Sequence, residues 1–368
     1  MSITIDRTIV GLEFRPLTIP ASVDAPDAGD FVAMTHVRNR IYRWLHGHDD
    51  QHLEPAELLP HYLPDEYELR FVWLVLLDGE PVGRLGIDVP LEAGSKVAYW
   101  LIELLPEAWG RGVGSAGYRL LEGVAREHGR TVLQSWAQHP EQPGERLVPP
   151  TGFGSIPRDH AARFYLRHGH SLEQIERYSR LDLAASQPEI ERLLGVAERA
   201  AAGYRVVQWL LPTPEEFLEG YAWMKSRMST DVPAAALDFD EEVWDVARIQ
   251  LHQSRYLEAG QTVQVTAAQH IASGELCAFN ELVIGTDPTH VTHQEDTLVL
   301  REHRGHRLGL LVKCAGLLAW RRVAPDSPRV VTYNAEENRP MLDINEAIGF
   351  RPAAYEGAWK RTLEPAAG

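Results

Sequence analysis

The sequence predicts an α/β chain built from two similar units in tandem. Three observations lead there. The chain has 368 residues, about twice the usual single-domain length. One order of strand and helix signals runs through the first half and recurs in the second. In each half a turn containing glycine joins an apolar strand to a helix at the same place in that order, at 109–115 (WGRGVGS) and 304–309 (RGHRLG).

In the first half, residues 12–17 read as a short strand. Residues 30–63 carry helical patterning, with Val37, Ile41, Trp44 and Leu45 at three- and four-residue spacings. Two apolar runs then flank Asp78-Gly79, a pair suited to the positive φ angles of a tight hairpin turn. Residues 96–105 are almost wholly apolar, as in a buried strand, and lead into the glycine-rich turn and a helix. A strand at 131–137, a loop at 139–158, a helix at 160–169 stopped by Gly169, and a strand at 179–183 close the unit.

An Ala- and Glu-rich stretch follows, with Ile190, Leu193, Leu194 and Ala197 on one face. It predicts a connecting helix over 186–203, between an N-terminal domain at 1–185 and a C-terminal one at 204–368. Beyond it come a strand at 204–209, helices at 213–227 and 241–258, and a hairpin turning near Ser273-Gly274. A strand at 296–300, the second turn and helix, a strand at 330–335 and a helix stopped by Gly349 complete the repeat. Its period, about 195 residues, is too long for a solenoid unit and signals duplication of a domain.

Composition narrows the function. With 44% hydrophobic and 24% charged residues the chain reads as globular, and either half is long enough to bury a core. A formal charge of −16 disfavours a nucleic-acid partner and mildly suits a cationic substrate. Two cysteines, Cys277 and Cys314, make no disulfide framework and fit a reducing cytoplasm. The N-terminus lacks the pattern of a signal peptide, and no apolar run approaches the roughly 18–20 residues of a membrane span, so no membrane partner is expected. His46, His48 and His52, beside Asp49 and Asp50, lack a second ligand group at metal-binding spacing, so no metal is expected.

The glycine turns carry the strongest chemical signal. Gly110, Gly112 and Gly114 lack Cβ atoms, so backbone N–H groups can close around an anion, and the following helix adds favourable partial charge. A phosphate or pyrophosphate is the natural ligand, against the alternative of a ligand-free tight turn. Rossmann spacing is absent, and no Gly-Lys-Ser/Thr marks a Walker loop.

On these residues each half resembles the GNAT superfamily of acyl-CoA-dependent N-acyltransferases, over roughly 12–183 and 204–362. That superfamily's coenzyme A signature is Gln or Arg, two residues, Gly, one residue, then Gly or Ala. Gly112 and Gly114 match it while Trp109 replaces the leading residue; in the second half Arg304 and Gly309 match and Arg307 replaces the first glycine. The resemblance implies a mixed, largely antiparallel twisted sheet flanked by helices in each half. It also implies acetyl-CoA as co-substrate. The implied binding residues are Leu104, Leu105, Gly110, Arg111, Gly112, Val113, Gly114 and Ser115, with Val299, Arg304, Gly305, His306, Arg307, Leu308, Gly309 and Asn338 in the second half.

The family commonly places a proton-donating Tyr four residues before the glycine of the late helix. Tyr165 falls there before Gly169, whereas the second half has Asn345; Asn338 fits a further family position that holds Arg158 in the first half. The resemblance assigns thioester polarisation to a backbone N–H near Leu104 and near Val299. Glu103 is the candidate base on the first strand, and Glu295 and Asp296 are its second-half counterparts.

The combined reading is an N-acetyltransferase acting by direct transfer on a primary amine of a small molecule; the two signature glycines and Tyr165 favour the first half as catalytic, with an active, regulatory or structural role left open for the second. The helical stretches at 30–63 and 213–258 would shape acceptor pockets. A homodimer is compatible with the sequence. The tandem form also resembles the mycothiol synthase family, and a non-catalytic acyl-CoA-binding or scaffold protein is the alternative from another class.

Overall fold

A computed structural model describes residues 9–364, so the first eight residues of the N-terminal reading lie outside it. The first half comprises β1 (Leu12–Pro16), α1 (Gly29–His46), α2 (Pro55–Leu58), β2 (Glu68–Leu77), β3 (Glu80–Pro90) and β4 (Val97–Leu104). It continues with α3 (Val113–Glu127), β5 (Val132–Gln138), β6 (Arg146–Leu147), β7 (Ile156–Pro157), α4 (His160–Arg167) and β8 (Ser171–Asp182). After α5 (Gln187–Ala200) come β9 (Tyr204–Leu210), α6 (Glu215–Asp231), α7 (Val246–Glu258), β10 (Thr262–His270), β11 (Leu276–Ile284) and β12 (Thr292–Val299). The chain ends with α8 (Leu308–Val323), β13 (Arg329–Ala335), α9 (Arg339–Ile348) and β14 (Arg351–Thr362).

Local chemistry accounts for most boundaries. Asp78 and Gly79 take φ of 54° and 86°, so the β2–β3 hairpin closes with both central residues left-handed. Gly47 adopts the left-handed cap that ends α1, and splits the stretch predicted as one helical region into α1, α2 and a 3₁₀ turn. Asp159 and Asp245 accept backbone N–H groups at the starts of α4 and α7. Along α3, Val113, Ala116, Leu120, Leu121 and Val124 recur at helical spacing and pack into the first-half core.

Both halves are mixed and largely antiparallel: only β4–β5 and β12–β13 pair in parallel. The sheets do not stay separate. Twelve strands form one sheet, in the order β1-β2-β3-β4-β5-β14-β8-β13-β12-β11-β10-β9. The two halves have exchanged their last strands. β14, from the second half, pairs with β5 of the first, while β8, from the first half, pairs with β13 of the second. β8 and β14 meet antiparallel at the centre. The predicted connecting helix is α5, yet β8, the strand before it, already lies in the sheet of the second half.

β14 was not predicted as a strand, and β8 was predicted only over its last residues. Pro352 and Gly357 interrupt the pattern of β14, and charged residues fall at irregular spacing through both strands. Gly357 is a close-approach position: a Cβ there would lie 2.8 Å from the Trp359 indole nitrogen and 2.9 Å from Leu172. Among the described residues, no helix is long and apolar enough to cross a membrane.

Candidate functional site

Parallel pairing of β4 with β5 ends at Tyr99 opposite Gln134, and the strands then splay apart. A cavity of about 580 Å³ opens in the gap. The end of β4 from Trp100 to Leu104 forms one wall, and Phe164 and Tyr165 of α4 another. Gly110, Gly112, Gly114 and Ser115 lie at its mouth.

Backbone alternation sets what β4 presents. Leu105 N–H bonds the Val82 carbonyl at 2.8 Å, so the N–H and C=O of Leu104 face the cleft. The Trp109 indole N–H donates to that carbonyl at 2.9 Å. Trp109 also stacks on His160, 3.6 Å between ring centroids, which closes one side of the cavity. The second half repeats the device with different chemistry. Leu300 N–H bonds Cys277 at 2.9 Å, and Arg304 Nε donates to the Val299 carbonyl at 3.3 Å.

The two glycine turns share a backbone path. Gly110 and Gly112 take φ of 69° and 84°; Gly305 and Arg307 take 91° and 56°. Arg307 therefore adopts a left-handed conformation that L side chains rarely hold, and the turn survives the loss of its glycine. A Cβ on Gly110 or Gly305 would meet nothing within 4 Å, which leaves backbone open to a ligand in both turns. Each turn opens a helix of fifteen or sixteen residues whose first N–H groups have no intrahelical partner.

Tyr165 is held from three directions. Its hydroxyl shares a 2.7 Å hydrogen bond with Ser135 Oγ, and its ring lies flat on Trp359 and tilted against Trp100. Burial pushes its hydroxyl well above the ordinary tyrosine value, keeping it protonated. Behind it runs a chain of polar contacts. Trp359 Nε1 reaches His139 Nε2 at 3.3 Å, His139 Nδ1 lies 3.0 Å from Asp159, and Asp159 caps α4.

Glu103 lines the same cavity, but its carboxylate is committed. Arg84 Nε donates to it at 2.6 Å and the Tyr42 hydroxyl at 2.9 Å. Burial alone would raise its pKa; the Arg84 and Tyr42 contacts hold it below the usual carboxylate range. That corrects its predicted role, because a carboxylate so stabilised is a poor base. A second acidic group was missed. Glu356 of β14 lines the cavity from the opposite strand, and only the exchange brings it there.

The corresponding place in the second half is filled with polar side chains. Lys313 Nζ donates to Asn345 Oδ1 at 2.8 Å, and Asn345 Nδ2 donates to Asn334 at 2.7 Å. Lys313 is fully buried, and burial lowers its pKa to about 7. Asp296 pairs with Lys225, while burial beside Asp296 and Glu281 raises Glu295 to about 7.

The structure thus gathers Glu103, Leu104, Gly110, Gly112, Gly114, Ser115 and Tyr165 around one cavity. Leu105 and Val113 instead turn their side chains into the core, as does Leu308 in the second half. Arg111 points toward Asp78, 3.9 Å away. His306 packs over Tyr204, and Asn338 begins α9 without a side-chain cap. Gly309 faces Ile344 and Val299. Of the first histidine cluster, His48 contacts Arg180, His46 lies between Tyr42 and Tyr178, and His52 pairs with Glu54 at 3.0 Å. Elsewhere, Glu275, Cys277 and His303 bring one potential metal ligand each within 4.8 Å of the others.

Comparison with known proteins agrees with this geometry. The Acetyltransferase (GNAT) family matches residues 32–148, the segment that holds β4, the first glycine turn and β5. A tandem GNAT protein from the clavulanic acid biosynthesis pathway shares the fold at a TM-score of 0.72 and 24% identity, over 96% of this chain and 99% of that one. A GCN5-related N-acetyltransferase from Sphaerobacter thermophilus matches at 0.60 and 15% identity, over 97% of each chain. A glucosamine N-acetyltransferase region of a fungal multi-domain β-N-acetylglucosaminidase matches at 0.58 and 14%, over 95% of this chain and 38% of that one. Among curated proteins none matches the chain.

Proposed function

We propose that this chain, whose residues 32–148 match the GNAT acetyltransferase family and whose fold is similar to that of a tandem GNAT protein, is an acetyl-CoA-dependent N-acetyltransferase for a small primary amine, working in the first half. The observation that carries this reading is the open cleft between β4 and β5, continuous from the first glycine turn to Tyr165. The glycine turn offers open backbone and helix N–H groups to a pyrophosphate. Leu104 N–H faces the place where a thioester carbonyl would lie, and such a preorganised donor contributes a few kcal/mol.

In direct transfer the amine nitrogen bonds to the acyl carbon and the carbon–sulfur bond breaks. Under this proposal Tyr165, kept protonated by burial, gives the leaving sulfur its proton, and Ser135, which shares a hydrogen bond with it, restores that proton. A positioned proton donor is worth on the order of 10²–10⁴-fold. The second half reads as a scaffold under this proposal, since Asn345 replaces the tyrosine and Lys313 fills the space beside it. Two free, buried thiols at Cys277 and Cys314 support a cytoplasmic setting.

Thermal melting with cofactors tests the reading. Acetyl-CoA at millimolar concentration should raise the melting temperature by mass action, while NADH and ATP at the same concentration should not. A melting curve indifferent to acetyl-CoA would sink the proposal.

A further inference from the structure

A second cavity, of about 370 Å³, lies beneath α1. It meets the first at Tyr42, Trp100, Leu101, Glu103, Trp136 and Glu356, which line both. Aromatic faces and two carboxylates are the chemistry that receives an organic ammonium ion. Of the two carboxylates, Glu103 is held by Arg84. The Glu356 carboxylate makes no hydrogen bond or ion pair among the described residues. Its side chain is half-buried and lines both cavities.

We propose that Glu356, carried by a strand from the C-terminal half, receives the proton of a primary ammonium ion bound in the cavity beneath α1, so that the amine site belongs to neither half alone. The proposal rests on the reading of the first-half cleft as the acyl-transfer site. The ammonium N–H bond breaks and its proton passes to the Glu356 carboxylate, leaving a neutral amine. The amine lone pair forms the bond to the acyl carbon, the carbon–sulfur bond breaks, and the sulfur takes a proton from Tyr165. The nitrogen's second excess proton and the one on Glu356 leave through solvent, and Tyr165 recovers its own. Ammonium ion and acetyl-CoA thus yield the acetamide, free thiol and one proton.

The surroundings suit that task. Glu356 sits directly opposite Glu176 in the β14–β8 ladder, and each lies seven residues beyond the late glycine of its own half. Burial first, then Glu176 and Glu103, raise Glu356 to about 8. On β5 the facing residue is Gln138, and Trp136 there donates to Glu176 at 2.7 Å. Arg84 on β3 is engaged by Glu103, Arg70 on β2 and Asp88 on β3 line the cavity and pair with each other at 2.7 Å, Tyr165 approaches from α4, Tyr333 from β13, and Glu337 acts on Glu176. No cation among these groups pairs with Glu356. Near neutral pH its carboxyl is mostly protonated, and an arriving ammonium ion supplies the positive charge that ionises it.

Calorimetry on the whole chain with n-butylamine tests this without requiring turnover. At pH 7, titration in two buffers of different ionisation heat should show release of about one proton per ammonium ion bound. Glu356→Gln is nearly isosteric; it should abolish that release and weaken binding at least tenfold, while acetyl-CoA still raises the melting temperature. Glu176→Gln, which keeps an acceptor for Trp136, should reduce the proton release because Glu356 then ionises at lower pH. The inference is overturned if Glu356→Gln releases the same proton, or if butylamine does not bind the wild-type chain although acetyl-CoA does. Failure of acetyl-CoA to bind would instead remove the reading on which it rests.

Discussion

The ring of Trp359 lies parallel to that of Tyr165, 4.7 Å between centroids and 5° between planes, although the two residues come from opposite halves of the chain. The strand that brings Glu356 to the cleft therefore also orients the candidate acid. Its indole nitrogen anchors the same assembly through His139 to the cap of α4.

Trp359→Ala should be severely destabilising. The ring is fully buried, and loss of a buried aromatic side chain costs about 3–5 kcal/mol. Denaturant unfolding should show that loss, with acetyl transfer falling as well because Tyr165 loses its support. A loss under about 1 kcal/mol would mean the ring is not packed as described.

Tyr165→Phe keeps the ring and removes the hydroxyl, with its proton and its hydrogen bond to Ser135. We expect kcat to fall roughly 10²-fold while the acetyl-CoA-induced rise in melting temperature is unchanged. Ser135→Ala should act in the same direction by a smaller factor. Unaltered turnover in Tyr165→Phe would reduce the tyrosine to a packing residue.

Gly114→Asp and Gly309→Asp distinguish the two turns. A Cβ on Gly114 would lie 3.1 Å from Phe164, and one on Gly309 3.2 Å from Ile344. The steric burden is therefore similar, and any difference in ligand binding reports on the ligand. Acetyl-CoA binding measured by calorimetry should vanish in Gly114→Asp and persist in Gly309→Asp, with both variants folded by circular dichroism. The reverse pattern would move the working site to the second half.

Acid should unfold the protein in a way that histidine explains. Burial lowers His170 to about 3, His46 to about 4 and His293 to about 4. His170 is packed among Trp100, Tyr118 and Tyr165 with neither ring nitrogen hydrogen-bonded. Each is neutral in the fold and gains its proton near pH 6.5 when unfolded, so stability is present above that pH and is lost as pH falls toward 4. His170→Phe should make the fall of melting temperature between pH 7 and 5 shallower. An equal slope in the variant would show that His170 already carries a proton in the fold.

Much of this architecture could be read in the chain itself, because local chemistry fixed it. Asp78-Gly79 dictated a hairpin, Gly349 ended a helix, and glycines at 110, 112 and 114 marked the turn that opens α3. What escaped was set by partners distant in sequence. Pro352, Gly357 and irregularly spaced charges hide β14 from any local pattern, and its place between β5 and β8 is a property of the whole sheet. Glu356 was invisible for the same reason. Glu103 was found by its position on β4, but the Arg84 that neutralises its promise as a base lies on another strand. Arg307 shows the opposite failure: its side chain disfavours the left-handed turn, and the surrounding fold imposes it anyway.

The order of the strands bears on how the protein is made. β5 leaves the ribosome with its outer edge vacant, and its neighbour in the finished sheet, β14, is synthesised only after every element from β6 to α9. More than half the chain must be translated in between. At about 5–20 residues per second, the delay is roughly ten to forty seconds. Through that interval β5 presents unpaired N–H and C=O groups, the condition that invites pairing with a stranger. A first half synthesised without β14 would hold an incomplete sheet, with neither Glu356 nor Trp359 beside its cleft.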